Sequence, residues 1–300
     1  MSGNNNGYDD IFKKACLVQL SSSIWNGTKA IEPGVMKEIA EKGGDTEWLN
    51  GWKNLINREM LGPIRTAVSS ARNTIKRFAL PFPIASVHLV PKENLEMIDE
   101  QLQLFKDKFW EQFYEFEAIY GDALDEASEK LGSLYNESDY PTDIRSKFNF
   151  EWRYVALTVP GKSTVLSPAI YKREKEKFLG MMEETRELAM VALREEFSEV
   201  LEYITSRLST NGNGKPKVLK TSMFNKLTEF LDEFENRNIF KDETLSELTG
   251  QAREAINGVS AYNLKFSTKV REGITESMNE LKESVNAAIV DMPRRQIELN

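Results

Sequence analysis

The sequence is constrained most by a long apolar stripe that begins just after Pro91. Large apolar residues recur there at steps of three or four, and the stripe consists of Leu95, Ile98, Leu102, Phe105, Phe109, Phe113, Phe116, Tyr120 and Ala123. This spacing places every member on one side of an α-helix, while carboxylates occupy much of the remaining surface. At about 1.5 Å per residue, a helix over 91–120 would be roughly 45 Å long. The chain must therefore supply another apolar surface to cover this stripe.

A second long helix is predicted over 168–208, where apolar residues again follow helical spacing. Its stripe consists of Phe178, Met181, Met182, Leu188, Ala192, Leu193, Phe197, Val200, Ile204 and Leu208. Because each helix needs a partner, we expect a long antiparallel hairpin over about 92–208, packed in the manner of a coiled coil. We expect the first helix to break at Gly121 or Gly132 and fold back, unless the next strand pairs elsewhere.

Three segments have the aromatic and β-branched content of strands, namely 16–25, 84–90 and 147–159. A further helix is predicted over 48–78, with a kink or restart at Gly62-Pro63. The strands are few and short compared with the helical segments. We therefore expect a mainly α protein of the α+β type, with a small β element beside the long hairpin.

A run of turn-forming residues, Asn-Gly-Asn-Gly-Lys-Pro at 211–216, predicts a linker. Before it, we expect a mixed strand and helix region over 1–210 that contains the long hairpin. After it, the apolar spacing predicts a C-terminal helical segment of three helices over 217–292. The last residues, 293–300, are expected to form a frayed tail.

The composition limits the chemistry, because the chain has one histidine and one cysteine among 300 residues. Most metal sites and most acid–base or nucleophilic arrangements use several histidines or grouped cysteines. His88 and Cys16 both lie in apolar runs, where a role in the core suffices. We therefore expect that the protein is not an enzyme and that it binds no metal and no cofactor.

The sequence also gives an expectation about location. A single cysteine forms no internal disulfide, and no signal peptide or apolar span is predicted. These features favour a cytoplasmic protein without a membrane segment.

One short motif suggests nucleotide chemistry. The run Pro160-Gly161-Lys162-Ser163-Thr164 resembles the end of a phosphate-binding loop and follows a predicted strand. The complete motif requires a glycine five residues before Gly161, where this chain has Ala156. An ordinary connection between a strand and a helix explains the segment more simply. A nucleotide-using enzyme at Gly161-Lys162-Ser163 is therefore kept only as a third alternative.

Acidic side chains concentrate in 92–143, which carries 15 acidic and 4 basic residues and a net charge of −11. Such a block favours electrostatically steered docking of a protein partner, although a solvated helix face is the ordinary explanation. The residues that we expect to bind the partner are Trp25, Lys29, Glu111, Glu115 and Asp122. For Trp25, a buried strand end is the alternative to an exposed anchor.

Basic side chains form two smaller patches that suggest nucleic acid as an alternative partner. The first consists of Arg65, Arg72, Lys76 and Arg77, and the second of Lys172, Arg173, Lys175 and Lys177. A chain with a net charge of −8 is a weak candidate for this function, because phosphate binding favours basic domains. The other interpretation is that both patches face the acidic 92–143 segment.

Several runs stand out together: Leu17 to Lys29 (LVQLSSSIWNGTK), the acidic helix after Val90-Pro91, Tyr140-Pro141 before Phe148-Asn149-Phe150, and GKPKV at 214–218 before FLDEF at 230–234. They resemble an uncharacterised family from phage, plasmid and prokaryotic genomes. Its members are often encoded near a MoxR-type AAA+ ATPase and a von Willebrand factor A protein similar to cobaltochelatase subunits. The resemblance implies a helical accessory or substrate-like partner of the ATPase and brings no catalytic residues. The oligomeric state stays open, and a homo-oligomer is one alternative.

Overall fold

The computed structural model describes residues 11, 13–40, 51–156, 167–208, 221–259, 264 and 266–291. The helices are α1 (Pro33–Ala40), α2 (Gly62–Phe78), α3 (Leu95–Ala118), α4 (Tyr120–Leu131), α5 (Pro168–Leu208), α6 (Asn225–Arg237), α7 (Glu243–Ile256) and α8 (Thr268–Val290). The strands are β1 (Ala15–Ser23), β2 (Thr28–Ala30), β3 (Trp52–Asn54), β4 (Leu80–Pro81), β5 (Val87–Pro91) and β6 (Asn149–Val155). The prediction of a mainly α protein with a small β element is confirmed.

The strands form one four-stranded sheet in the order β4-β5-β1-β6 and a separate β2-β3 pair. The strands predicted at 16–25, 84–90 and 147–159 correspond to β1, β5 and β6, although β5 begins only at Val87 and residues 157–159 lie outside the described residues. β4 pairs antiparallel with β5, with Leu80 opposite Leu89. Both of these leucines are fully buried, which explains why so short a pair is retained.

The chain divides into two compact units. Unit 1 comprises 1–18, 78–95 and 154–300, and unit 2 comprises 19–77 and 96–153. The boundary falls within β1, so this strand contributes to both units. Unit 1 includes helices from both sides of the predicted 211–216 linker. The linker itself and the predicted tail at 293–300 lie outside the described residues, and the domain boundary predicted there stays a prediction.

Helix α5 forms the centre of unit 1 and confirms the helix predicted over 168–208. Its buried side chains include Ala189, Leu193, Phe197, Leu201 and Ile204. Its most extensive contact is with α8, and β4 and α6 also pack against it. The apolar stripe of α5 was expected to pack against the helix after Pro91, but it packs against α8. The helix after Pro91 is α3, which belongs to unit 2. The predicted hairpin over 92–208 is therefore wrong, because an apolar stripe requires a covering surface without specifying which segment supplies it.

Two of the ion pairs between helices of unit 1 use a buried arginine. Arg194 on α5 donates through Nε and Nη2 to the Asp242 carboxylate, at 2.7 and 2.9 Å, and both side chains are buried. Asp242 also caps α7 by accepting from the Leu245 amide at 3.1 Å. In the second pair, the buried Arg237 of α6 donates to both carboxylate oxygens of Glu196 on α5, at 3.0 and 2.6 Å. These contacts fix α6 and α7 against α5.

The predicted helix over 48–78 is confirmed only from Gly62 onward. In the described part before it, Trp52–Asn54 form a strand that pairs with β2. Gly27 makes the connection between β1 and β2 possible, because its φ is +65° and a Cβ there would lie 3.0 Å from Ile56 Cγ1. Long-range strand pairing therefore replaces the helix that the apolar spacing favours in this segment.

The acidic helix after Pro91 breaks once and then ends at a glycine. α3 ends at Ala118, Ile119 has φ −103° and ψ 4°, and α4 follows directly. α4 ends at Gly132, whose φ of +51° is a conformation that other residues rarely adopt. The predicted end at Gly132 is thus confirmed, and the first break falls two residues before Gly121. Within the described residues, no helix is long and apolar enough to cross a membrane.

Candidate protein-interaction surface

Helix α3 has one face in the core of unit 2 and another in solvent. The core face consists of the buried residues Ile98, Leu102, Phe109, Phe113 and Phe116. The outer face carries two large apolar side chains that remain exposed: Leu104 is 59% exposed and Tyr114 is 48% exposed. Both faces follow from the sequence, because residues three or four apart share one side of a helix.

Aromatic contacts fix α3 against the segment that leads into β6. The ring of Phe113 lies 4.8 Å from that of Phe148, and the ring of Phe109 lies 5.5 Å from that of Phe150, measured between centroids. Trp110 meets Phe109 and Phe113 edge-on at 5.2 and 5.4 Å. These distances are typical of favourable aromatic pairs. Trp110 is therefore held at the border between the core and the outer face.

Arg145 completes a cluster on this border, which we call the aromatic–arginine cluster (Trp110, Tyr114 and Arg145). Its guanidinium lies 4.9 Å from the Trp110 ring centroid and 5.5 Å from that of Tyr114. Its Nη1 also donates to the Tyr114 hydroxyl at 2.9 Å. This hydrogen bond raises the pKa of the Arg145 guanidinium above its ordinary value. The arrangement shows that these rings can hold a guanidinium in an exposed position.

A similar contact lies further along α3. The Lys106 ammonium is 5.5 Å from the Trp152 ring centroid, and Trp152 Nε1 donates to Asp99 at 2.9 Å. Lys106 and Trp110 are four residues apart and therefore lie on the same side of the helix. A cation therefore contacts an aromatic ring at two positions along this flank of α3.

The acidic residues predicted to bind a partner lie beside this flank. We call them the acidic ridge: Glu111 and Glu115 on α3, and Asp122 on α4. All three are exposed, and none forms an ion pair with any residue that the structure describes. Glu115 accepts one hydrogen bond, from Gln112 at 2.9 Å. Their charges are therefore available to a partner at the cost of displacing water.

Trp25 and Lys29 do not contribute free groups to this surface. Trp25 is only 9% exposed and packs against Tyr120 and Tyr140, with ring centroids 6.0 and 6.4 Å apart. The exposed-anchor prediction for Trp25 is therefore wrong, because these rings bury the indole. Lys29 forms an ion pair with the buried carboxylate of Asp139, which also binds Lys53 at 2.6 Å. The hydrogen bonds from Lys29 and Lys53 lower the pKa of Asp139.

The basic residues predicted for nucleic acid lie on α2. Arg72, Lys76 and Arg77 are exposed, and Arg65 is half-buried. Arg72 donates to the Ser22 hydroxyl at 3.0 Å, and Arg65 donates to the Arg58 carbonyl at 3.4 Å. In the described part of the chain, no carboxylate of 92–143 forms an ion pair with Arg65, Arg72 or Lys76. The interpretation that they neutralise the acidic segment is not supported for these three.

The second basic patch is partly neutralised within its own helix. Arg173 and Lys177 both bind Glu174, at 3.2 and 3.0 Å, on the exposed surface of α5. These contacts lower the pKa of Glu174, with the Lys177 hydrogen bond as the largest cause. Pairs of this kind are typical of a solvated helix face and need no ligand.

The structure gives little support to the other residues that were considered for catalysis or for metal or nucleotide binding. Cys16 is half-buried in β1, and burial raises the pKa of its thiol, which disfavours the reactive thiolate. His88 is half-buried in β5. Within the described ranges, no group of three His, Cys, Asp or Glu side chains is arranged to hold a metal. The Gly161-Lys162-Ser163 motif lies outside the described residues.

Sequence reasoning found the acidic ridge but missed the aromatic–arginine cluster. Trp110 and Tyr114 are four residues apart beside the apolar stripe, which is the signal that was available. Arg145 lies 31 residues beyond Tyr114, and nothing in the sequence indicates that the two side chains meet.

Comparison with known proteins gives a family without an assigned function. A search of curated proteins and a search of solved structures found no match. A family model described as "Protein of unknown function (DUF3150)" matches residues 12–211, which include the aromatic–arginine cluster and the acidic ridge. Because this match covers well over half of the chain, the protein belongs to the DUF3150 family.

Proposed function

We propose that this protein is a non-enzymatic interaction or scaffold protein, and that unit 2 binds a protein partner through the outer face of α3 and α4. The observation that carries the proposal is the combination of exposed apolar side chains and unpaired carboxylates on one helix face. Leu104 and Tyr114 expose large apolar surfaces there, and Glu111 and Glu115 form no ion pair with described residues. Apolar side chains surrounded by polar groups are typical of transient protein interfaces.

The partner that we propose is a MoxR-type AAA+ ATPase. The support is the resemblance of the sequence to a family whose genes often lie near such an ATPase. In this proposal the protein acts in the cytoplasm of a cell that carries a phage, a plasmid or another mobile element. It serves there as an accessory or substrate-like subunit, and the acidic ridge steers its association with a basic surface.

The experiment uses the full chain and the purified MoxR-type ATPase that is encoded nearest to its gene. We expect analytical ultracentrifugation to detect a complex of fixed stoichiometry at physiological salt. The double variant Glu111→Lys/Glu115→Lys should weaken this complex by about tenfold or more, because like charges then face each other. The matched control is Glu247→Lys/Glu254→Lys, which makes the same charge change on exposed positions of α7. Absence of a complex with the unaltered protein rejects the ATPase as partner.

Nucleic acid is the second candidate partner. The observation that favours it is the basic face of α2, where Arg65, Arg72 and Lys76 form no ion pair with any described carboxylate. This hypothesis predicts oligonucleotide binding that weakens steeply between about 50 and 200 mM salt. The variant Arg72→Glu/Lys76→Glu should then abolish binding in a fluorescence anisotropy titration. An unchanged affinity in that variant rejects this function.

A further inference from the structure

The aromatic–arginine cluster shows what kind of group the outer face of α3 accepts. The chain's own Arg145 places its guanidinium 4.9 and 5.5 Å from the Trp110 and Tyr114 centroids, although the residue is exposed. An exposed side chain with this many rotamers adopts such a position only where stacking and a hydrogen bond compensate for the lost freedom. The face is therefore suited to planar cations.

The same face also carries Glu111 and Glu115, which form no ion pair with any described residue, although Glu115 accepts one hydrogen bond from Gln112. Glu111 lies three residues before Tyr114 and four residues before Glu115. Glu111 is therefore a neighbour of both side chains on the helix surface, and both carboxylates are exposed. Leu104 adds an exposed apolar side chain near the other end of the same face.

A guanidinium fits this combination better than an ammonium does. It is planar, stacks on rings and presents two parallel donors to a carboxylate, whereas an ammonium is a compact and strongly hydrated charge. The surrounding segment has a net charge of −11, which would attract a basic partner and repel an acidic one. Charge complementarity and the contacts of Arg145 thus indicate the same ligand class.

We infer that the outer face of α3 docks an arginine-bearing segment of a partner protein. The partner's guanidinium groups pair with Glu111 and Glu115 and stack beside Trp110 and Tyr114, and its apolar residues cover Leu104. This inference rests on the proposed interaction function and gives the chemistry of the partner. Single-stranded nucleic acid and a second copy of the chain are the competing occupants, and the experiment separates them.

The experiment titrates the full chain into three fluorescein-labelled peptides that differ only at their charged positions. The peptides carry arginine, lysine or glutamate at every fourth position among leucine and alanine, and anisotropy reports binding. We expect the arginine peptide to bind about threefold more tightly than the lysine peptide and the glutamate peptide not to bind. The variant Glu111→Gln/Glu115→Gln should weaken arginine-peptide binding by about tenfold.

Two further variants test the stacking and the charge separately. Tyr114→Ala should remove the preference for arginine over lysine, whereas Tyr114→Phe, which keeps the ring, should retain most of it. Glu247→Gln/Glu254→Gln makes the same change in net charge on α7 of unit 1 and should leave the affinity unchanged. If this control weakens binding as much as the α3 variant does, the effect is bulk charge and the inference is overturned.

The remaining outcomes also decide the question. Equal affinity for the arginine and lysine peptides overturns the inference, as does tight binding of a single-stranded oligonucleotide that Tyr114→Ala abolishes. Self-association that Glu111→Gln/Glu115→Gln abolishes assigns the face to a second copy and overturns it too. A complex with the ATPase that forms normally in the Glu111→Gln/Glu115→Gln variant also overturns it, yet leaves the general interaction function intact. The two proposals therefore fail on different results.

Discussion

Two regions of this protein, the contact between α5 and α7 in unit 1 and the outer face of α3 in unit 2, use charged side chains in different ways. In unit 1, the guanidinium of Arg194 and the carboxylate of Asp242 are both buried and joined by two hydrogen bonds of 2.7 and 2.9 Å. In unit 2, Glu111 and Glu115 are exposed and form no ion pair with the residues described. Buried charges must be paired because water no longer solvates them, whereas exposed charges can remain available to a partner. The comparison separates charges that hold the fold from charges that are suited to binding.

The units also differ in their aromatic residues. All five tryptophans of the chain, at positions 25, 48, 52, 110 and 152, fall within unit 2. Unit 1 has no tryptophan, and its ring contacts include Phe230 stacked between Phe197 and Phe234 at centroid distances of 5.3 and 6.0 Å. Tryptophan fluorescence therefore reports on unit 2 alone, while far-UV circular dichroism also reports on the long helices of unit 1. This difference allows the comparison to be tested one unit at a time.

The largest effect is expected from Asp242→Ala. This change leaves the Arg194 guanidinium buried without its counter-charge and also removes the N-cap of α7. We expect a loss of about 3–5 kcal/mol in the free energy of unfolding. Urea titration followed by circular dichroism measures this loss, and the fluorescence transition shows whether unit 2 is affected.

Two variants separate the causes of this loss. Asp242→Asn keeps a good capping side chain but loses the charge, so it should be destabilised somewhat less than Asp242→Ala. Asp232→Ala is the surface control, because Asp232 and Arg253 form an exposed pair 3.4 Å apart that should contribute at most about 1 kcal/mol. If Asp242→Ala costs no more than this control, the buried pair does not differ from a surface pair and the comparison between the units fails.

The next effect is expected from Glu196→Gln. The partner of Glu196 is the buried Arg237, whose Nε has no hydrogen-bond partner among the described residues. Glu196 itself is 36% exposed, so water screens the pair and the loss should be about 1.5 kcal/mol. The same urea titration measures it. A variant with unaltered stability would show that the charge of Glu196 contributes nothing and that a neutral acceptor suffices for the Arg237 guanidinium.

A smaller effect is expected from Asp139→Asn, and it should depend on pH. Hydrogen bonds from Lys29 and Lys53 lower the pKa of Asp139 below its ordinary value of 3.8 in the folded protein. The ionised carboxylate therefore stabilises unit 2 at pH values above 3.8, and this contribution disappears as the pH falls through 3.8 toward the lowered pKa.

The measurement is urea unfolding of both proteins followed by tryptophan fluorescence between about pH 3 and pH 7. Near neutral pH, Asp139→Asn should lower the stability of unit 2 by about 1 kcal/mol, because water screens the pair with the half-exposed Lys29 and Lys53 keeps its hydrogen bond to the Leu134 carbonyl. The difference between the two proteins should shrink below about pH 4, where the carboxyl of the unaltered protein becomes protonated. A difference that stays constant over this range would exclude Asp139 as the titrating group.

The sequence predicted the individual helices better than their partners. The bounds of α5 follow directly from apolar spacing after Pro168. The pairing of α5 with α8 was not predictable, because the buried faces of α3 and α8 have the same period and similar apolar content. Secondary structure depends on local spacing, whereas the choice among several suitable stripes depends on the whole chain.

Within the candidate site, the exposure of helix residues was predictable from the sequence, whereas the contacts between distant residues were not. Exposure of Glu111 and Glu115 follows from their position opposite the stripe, and the structure confirms that exposure. Burial of Trp25 depends on Tyr120 and Tyr140, which are far away in the sequence. The place of Arg145 likewise depends on how the segment before β6 returns to α3. Long-range contacts of this kind leave no local pattern in a sequence.

The smallest effect on stability is expected from Glu111→Gln/Glu115→Gln. Neither carboxylate is paired with another charge among the described residues, so the free energy of unfolding should change by less than about 0.5 kcal/mol. Urea unfolding followed by tryptophan fluorescence measures this change beside that of Asp139→Asn. A gain in stability would fit the comparison as well, because removing two charges from a segment of net charge −11 relieves repulsion. A loss of about 1.5 kcal/mol or more would place these carboxylates with Glu196 as structural groups, and the acidic ridge would then no longer be a surface kept for a partner.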